Sequence, residues 1–244
     1  MTFGNSGSEA VEIAMKHALL ETGGQTFLTL DGAFHGKTLG ALQLTSNKAL
    51  RRPFALRGFR VRRVRPNDMQ HLEATFTSVR RPAGFFFEPI QGEGGVRPVG
   101  REFLGRIAEL CAEHRIPLIA DEYQTGLGRT GSFLASHAFG VRPDYIILSK
   151  ALGGGIAKIS AVLIDRRRYR AEFDLLHSST FASDGFSCGV GLKFLEMLED
   201  AFATFARSFN RELMWRSGWG VSLYRWDNSR RSLRGTGEAL RRGG

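Results

Sequence analysis

Short apolar runs, each ended by a polar or glycine-rich loop, alternate with helix-period segments along most of this chain. That alternation constrains the fold more than any other feature. Strands that are apolar on both faces need helices on both sides, and the pattern repeats often enough to build one sheet. The strand-like runs are 26–30, 60–64, 84–87, 117–120, 145–148 and 160–164. Helical periodicity falls over 9–20, where Val11, Ile13, Ala14, Ala18 and Leu19 form a broad apolar side, and again over 103–114 and 189–198. The expected fold is α/β, a mostly parallel mixed sheet flanked by helices. The 30 glycines suit its many tight strand-to-helix turns.

Several function classes drop out. No run of eighteen apolar residues is present, and the chain start lacks a basic region followed by an apolar stretch, so neither a membrane span nor a signal peptide is expected. Cys111 and Cys188 are the only cysteines, which points to reduced thiols in the cytoplasm and to no metal site. The net charge of +10 is uneven: residues 1–200 hold 25 Lys and Arg against 21 acids, and residues 201–244 hold nine Arg against three. No basic motif interleaved with aromatics accompanies it, so nucleic acid is not an expected partner. Residues 201–244, rich in Arg, Trp and Gly, keep no sustained period and are expected to form an irregular tail, or to be the product of a reading-frame error, after a domain over 1–200.

Six motifs carry the chemistry. Gly4-Asn5-Ser6-Gly7-Ser8-Glu9 precedes a helix, and small residues at a helix start leave backbone N–H groups free to cradle a phosphate. Ser8 alone is equally readable as a helix cap with Glu9 in the first turn. Phe34-His35-Gly36 offers an aromatic ring to a flat ligand, or a core Phe beside a loop His. Glu88-Pro89-Ile90-Gln91-Gly92-Glu93-Gly94-Gly95 puts two carboxylates in a loop at the end of an apolar strand, where α/β sheets collect ligands. Asp121 closes another apolar run and leads into Glu122-Tyr123-Gln124-Thr125-Gly126; a carboxylate held there calls for a cation. Lys150 ends a further apolar run before Gly153-Gly154-Gly155, and an amine in such a place is either paired or chemically employed. His177-Ser178-Ser179-Thr180-Phe181 supplies hydroxyls in a polar loop.

In order and spacing these motifs resemble the class III (omega) aminotransferases, the family of acetylornithine, ornithine and 4-aminobutyrate aminotransferases. The stretches from Asp121 to Gly131 and from Ser149 to Gly155 are the most specific, and the resemblance covers about residues 1–198. It implies the large domain of the type I fold for pyridoxal-5′-phosphate (PLP) enzymes. It implies Lys150 as the Schiff-base lysine and proton carrier, and Asp121 as partner of the pyridine nitrogen. Gln124 would meet the ring oxygen, Phe34 the ring face, and Ser6, Gly7 and Ser8 the phosphate, with His35 among the cofactor contacts. Thr180 would reach the phosphate of a second subunit, which implies a homodimer. Glu88 would order the pocket. Glu93 would gate a substrate-binding Arg between an amine donor and a 2-oxo acid acceptor.

The chain departs from the family pattern at both ends. The family's N-terminal segment and its small C-terminal domain, which carries that Arg, are not recognisable, so a truncated product is expected. Ala182-Ser183-Asp184-Gly185 stands where many members have Gly-Gly-Asn-Pro. The reaction implied is amino transfer. An aminomutase or decarboxylase on the same scaffold, and a non-catalytic fragment, stand as alternatives.

Overall fold

The computed structural model describes residues 1–208 and two short strands further on, Tyr224–Asp227 and Ser232–Gly235. The chain divides into two compact units, Met1–Phe194 and Leu195–Gly244. In the second, the two short strands pair antiparallel, Tyr224 opposite Gly235. Most of the expected tail lies outside the described residues.

The first unit is a seven-stranded sheet with helices on both faces. In chain order its elements are β1 (Thr2–Gly4), α1 (Gly7–Thr22), β2 (Thr26–Leu30), α2 (Leu39–Leu44), α3 (Lys48–Arg51), β3 (Arg60–Val64), α4 (Met69–Ser78), β4 (Pro82–Phe87), β5 (Ile90–Gln91), β6 (Arg97–Pro98), α5 (Arg101–Glu113), β7 (Leu118–Asp121), α6 (Ala135–Ala138), β8 (Tyr145–Leu148), β9 (Ser160–Ile164) and α7 (Phe173–Leu176); α8 (Gly185–Ser208) runs across the division. The sheet order is β1-β9-β8-β7-β4-β2-β3. Strand β9 is antiparallel to both neighbours, and the remaining pairs are parallel. The carboxyl ends of β1, β2, β3, β4, β7 and β8 therefore open on one side of the sheet.

Residue alternation explains the two cores. Phe85 and Phe87 point to one face with Leu28, Leu30, Leu118 and Ala120, and are covered by Phe76 of α4 and Phe103 and Ile107 of α5. Phe86 points to the other with Phe27, Ile119 and Ile147, and is covered by Val11, Ala14 and Ala18 of α1. All three phenylalanines are fully buried, as strands covered on both faces require.

The expected strands and helices are present, with shifted limits. The run read as 117–120 is Leu118–Asp121, so Asp121 itself belongs to the ladder and pairs with Ile147. Helix α5 begins at Arg101, and α8 extends the pattern read at 189–198 in both directions. Strand β1 was not legible: three residues carry no period, and its partner β9 lies far along the chain. Helix α4 was legible in principle, since Leu72, Thr75 and Phe76 fall on one buried face behind the cap Asp68, which accepts from His71 N at 2.8 Å.

Two glycine substitutions test this packing. A Cβ at Gly24 would lie 2.6 Å from the Pro82 carbonyl oxygen and 2.7 Å from Ala83 Cα, both backbone atoms that cannot turn away. Gly24→Ala is expected to cost about 1–3 kcal/mol in urea unfolding. Gly105, inside α5, has nothing within 4 Å of its Cβ position. Gly105→Ala is expected to gain up to about 1 kcal/mol, and equal effects at the two sites would contradict the packing described.

Candidate active site

The site is built where the parallel strands end. After β1 the chain turns into α1, and Ser6 is the helix cap: its Oγ accepts from Glu9 N at 3.2 Å, and Glu9 Oε2 accepts from Asn5 N at 2.6 Å. The cap is thus Ser6, not Ser8: it is the Ser6 hydroxyl that meets Glu9 N three positions on, while the Glu9 carboxylate reaches back to Asn5 N, one residue before the cap. The N–H groups of Gly7 and Ser8 are left in the first turn of a 16-residue helix, at its positive end. Ser8 Oγ accepts from Lys37 N at 3.3 Å, and Gly36, at φ +127°, leaves no room for a Cβ against it. The loop holding Phe34 and His35 is thereby pressed onto the start of α1.

Asp121 lies at the centre, with His35 Nδ1 2.8 Å from its Oδ2 and both side chains fully buried. His35 Nε2 is 3.1 Å from Thr29 Oγ1, and His35 N donates to Thr45 Oγ1 at 3.1 Å. Both ring nitrogens are therefore engaged. His35, expected among the cofactor contacts, lies against Asp121, its two ring nitrogens turned to Asp121 and Thr29. Burial pushes the Asp121 carboxyl up, against the pull of His35. Among the described residues its Oδ1 has only a long contact, 3.4 Å, from Tyr123 N. A buried carboxylate with an oxygen to spare suits a cationic N–H donor.

Lys150 follows β8 in left-handed backbone, φ +45°, a strained position for a residue with a Cβ. Its Nζ sits 4.6 Å from the centre of the Tyr123 ring. Lys150 is exposed at the strand end, yet the desolvation its surroundings impose, then the charge of Arg129, hold the ammonium below its ordinary value, while Glu93, Asp121 and Glu88 pull it back up. A lowered amine is a readier nucleophile. Tyr123 is buried, Gln124 Nε2 donates to its hydroxyl at 2.8 Å, and a Cβ on Gly7 would touch its ring at 3.4 Å. One ring thus joins the start of α1, Gln124 and Lys150. The sequence reading passed over Tyr123; its place between Asp121 and Gln124 was the available signal.

Glu88 is buried, and its Oε2 accepts from Phe34 N at 2.8 Å. Among the described residues its Oε1 makes no hydrogen bond of good geometry, although the backbone of Gly92 lies close enough to help lower the carboxyl. Burial pushes the carboxyl up to about 7, with His35 lowering it and Asp121 raising it. Glu122, also passed over, is buried and structural. It accepts from Thr125 Oγ1 at 2.6 Å, Ala135 N at 3.1 Å and Ser136 N at 2.6 Å, which pins the loop after β7 to the start of α6.

The structure gathers Gly7, Ser8, Phe34, Glu88, Asp121, Gln124 and Lys150 at these strand ends. Glu93 is exposed in the β5–β6 turn, within electrostatic reach of Lys150. Thr180 is exposed and not drawn into the cluster; its neighbour Ser179 accepts from Asn5 Nδ2 at 3.1 Å. Among the described residues no group of His, Cys, Asp and Glu could hold a metal. Free N–H groups at a helix start, a buried carboxylate in want of a cation and a lowered amine together fit PLP, which has a phosphate, a ring nitrogen and an aldehyde.

The family model for aminotransferase class-III matches residues 1–213. The chain belongs to the class-III aminotransferases. It is 40% identical over 201 residues to a putrescine aminotransferase of Pectobacterium atrosepticum, a match covering 78% of this chain and 42% of that one. Among solved structures of this fold, an ornithine aminotransferase from Toxoplasma gondii is 31% identical, with a TM-score of 0.72, covering 89% of this chain and 56% of its own. A PLP-bound amine transaminase from an uncultivated Pseudomonas species is 27% identical, with a TM-score of 0.75, covering 82% and 52%. The class-III chain described here thus spans about half the length of these relatives or less.

Glu88 gives this site a pH signature. The folded chain keeps the Glu88 proton up to about pH 7, whereas an ordinary Glu gives it up near 4.5. The stability this confers is fully present below about pH 4.5 and lost as pH rises through about 7. Across that window the urea midpoint is expected to fall relative to that of Glu88→Gln. Midpoints that run parallel would contradict the assignment.

Proposed function

We propose that this chain forms the cofactor-binding part of a PLP-dependent aminotransferase, which moves an amino group from an omega-amino compound or amino acid to a 2-oxo acid. The observation that carries the reading is Lys150, a lysine with a lowered ammonium pKa on strained backbone, in the field of the buried Asp121. The putrescine and ornithine aminotransferases among its relatives support a diamine or omega-amino acid as donor.

Bound PLP supplies an aldehyde that condenses with amines and a ring that draws charge from the neighbouring carbon. Lys150 Nζ would be the amine that holds it, and the same Nζ would take and return the proton of the reacting carbon, a role worth about 10²–10⁴-fold. Asp121 would hold the ring nitrogen protonated, with His35 orienting Asp121 and opposing the upward push of burial on its carboxyl. The N–H groups of Gly7 and Ser8, with the hydroxyls of Ser6 and Ser8, would bind the phosphate. Phe34 would cover a ring face and Gln124 would meet the ring oxygen. Glu88 fixes the Phe34 loop, and Glu93 would alternate between pairing with a substrate-binding Arg and releasing it. Thr180, exposed on its own chain, would complete the phosphate site of a second copy, which makes the working form a homodimer.

Both cysteines are free, which supports a reducing compartment such as the cytoplasm. No helix of the described residues is long and apolar enough to cross a membrane. The alternative reading is a fragment that binds PLP without completing turnover.

The test is glutamate formation from 2-oxoglutarate with putrescine or ornithine, in the presence of PLP. The chain is expected to form glutamate, and Lys150→Ala to lose at least about 10³-fold. Cofactor binding without glutamate would select the fragment. Equal rates in both proteins would remove Lys150 from the chemistry.

A further inference from the structure

We infer that the outer edge of the sheet, along β3 and the adjoining groove, is a docking site for an acidic, extended segment of a partner protein. The inference does not rest on the cofactor reading.

Charge is concentrated there. Residues 51–81 carry nine Arg and two acids. Both acids are committed elsewhere: Asp68 pairs with Arg65 at 2.9 Å, and Glu73 with Arg106 at 2.6 Å. This short stretch thus has an excess of seven, larger than the excess of four over all of residues 1–200. Arg60, Arg62, Arg80 and Arg81 are exposed and line a groove of about 850 Å³, floored in part by the half-buried Phe59 and Val61. None of the four makes an ion pair among the described residues. Like charges gathered without counter-charge repel one another, and an acidic ligand relieves that repulsion.

The backbone says what kind of ligand. Among the described residues strand β3 is the sheet edge, paired with β2 on one side only. Its five residues, about 17 Å long, leave N–H and C=O groups free on the other side. A second, smaller groove, shared through Val61, Arg62 and Ser78, continues between β3 and α4 as far as His71. An extended peptide can pair with such an edge by main-chain hydrogen bonds while its alternate side chains meet Arg60 and Arg62, which fall on one face of the strand. Nucleic acid could answer the arginines but not the free backbone edge. The chain's own residues 201–244, with nine Arg and three acids, have the wrong sign. The arginines also keep a second copy of this edge from pairing with it.

Fluorescence anisotropy with a labelled Asp- and Glu-rich peptide tests the inference. Three ligands are compared: that peptide, the same peptide with alternate backbone nitrogens methylated, and a single-stranded oligonucleotide. The plain peptide is expected to bind. The methylated one, and the variants Arg60→Gln/Arg62→Gln and Arg80→Gln/Arg81→Gln, should each bind about tenfold more weakly, a loss typical of removed charge-assisted or main-chain bonds. Arg166→Gln, an exposed arginine outside the groove, should change nothing. No binding would overturn the inference. So would binding that ignores both methylation and the arginine variants. Tighter binding of the oligonucleotide, lost in the arginine variants, would make the edge a nucleic-acid site instead.

Discussion

The contact between His35 and Asp121 is the one on which the rest of this site depends. It joins the loop after β2 to the last residue of β7, across the intervening β4, and buries both partners completely. A carboxylate taken out of water must be paired, and His35, held in turn by Thr29 and Thr45, does part of that work. The remainder is left to whatever binds at Oδ1. The sheet thus presents a carboxylate that is oriented and desolvated before any ligand arrives, which is how electrostatic preorganisation is built into a site.

Around that centre the loops brace one another. Gly36 lies against Ser8, Phe34 N is held by Glu88, and Tyr123 touches Gly7 and Lys150. Each is a contact between loops after different strands, made possible because six strands end on one side. Glu122, next to Asp121, serves the scaffold instead, capping the start of α6. Two adjacent carboxylates thereby take different work, one in the ladder and one in the loop behind it.

Much of this was legible in the sequence. Apolar runs ending at Glu88, Asp121 and Lys150 marked both the strands and the side on which ligands collect. The strict alternation of Phe85, Phe86 and Phe87 between two cores follows from the same runs. What stayed hidden depends on distant pairing. His35 and Asp121 lie 86 positions apart, so nothing local tells that His35 lies against the carboxylate. Strand β1 exists only because β9 pairs with it. Tyr123 stayed hidden because the groups its ring meets, Gly7 and Lys150, come from loops far away along the chain. The basic edge does not show in the charge of residues 1–200 as a whole, since acids elsewhere offset the arginines of 51–81.

The central claim is that these strand ends assemble a cofactor site with Lys150 as its attachment point. The most direct measurement is borohydride reduction of the chain in the presence of PLP, followed by peptide mass mapping. The account predicts the added mass on the peptide that contains Lys150 and on no other. Attachment at a different lysine, or none in a folded chain, would contradict it.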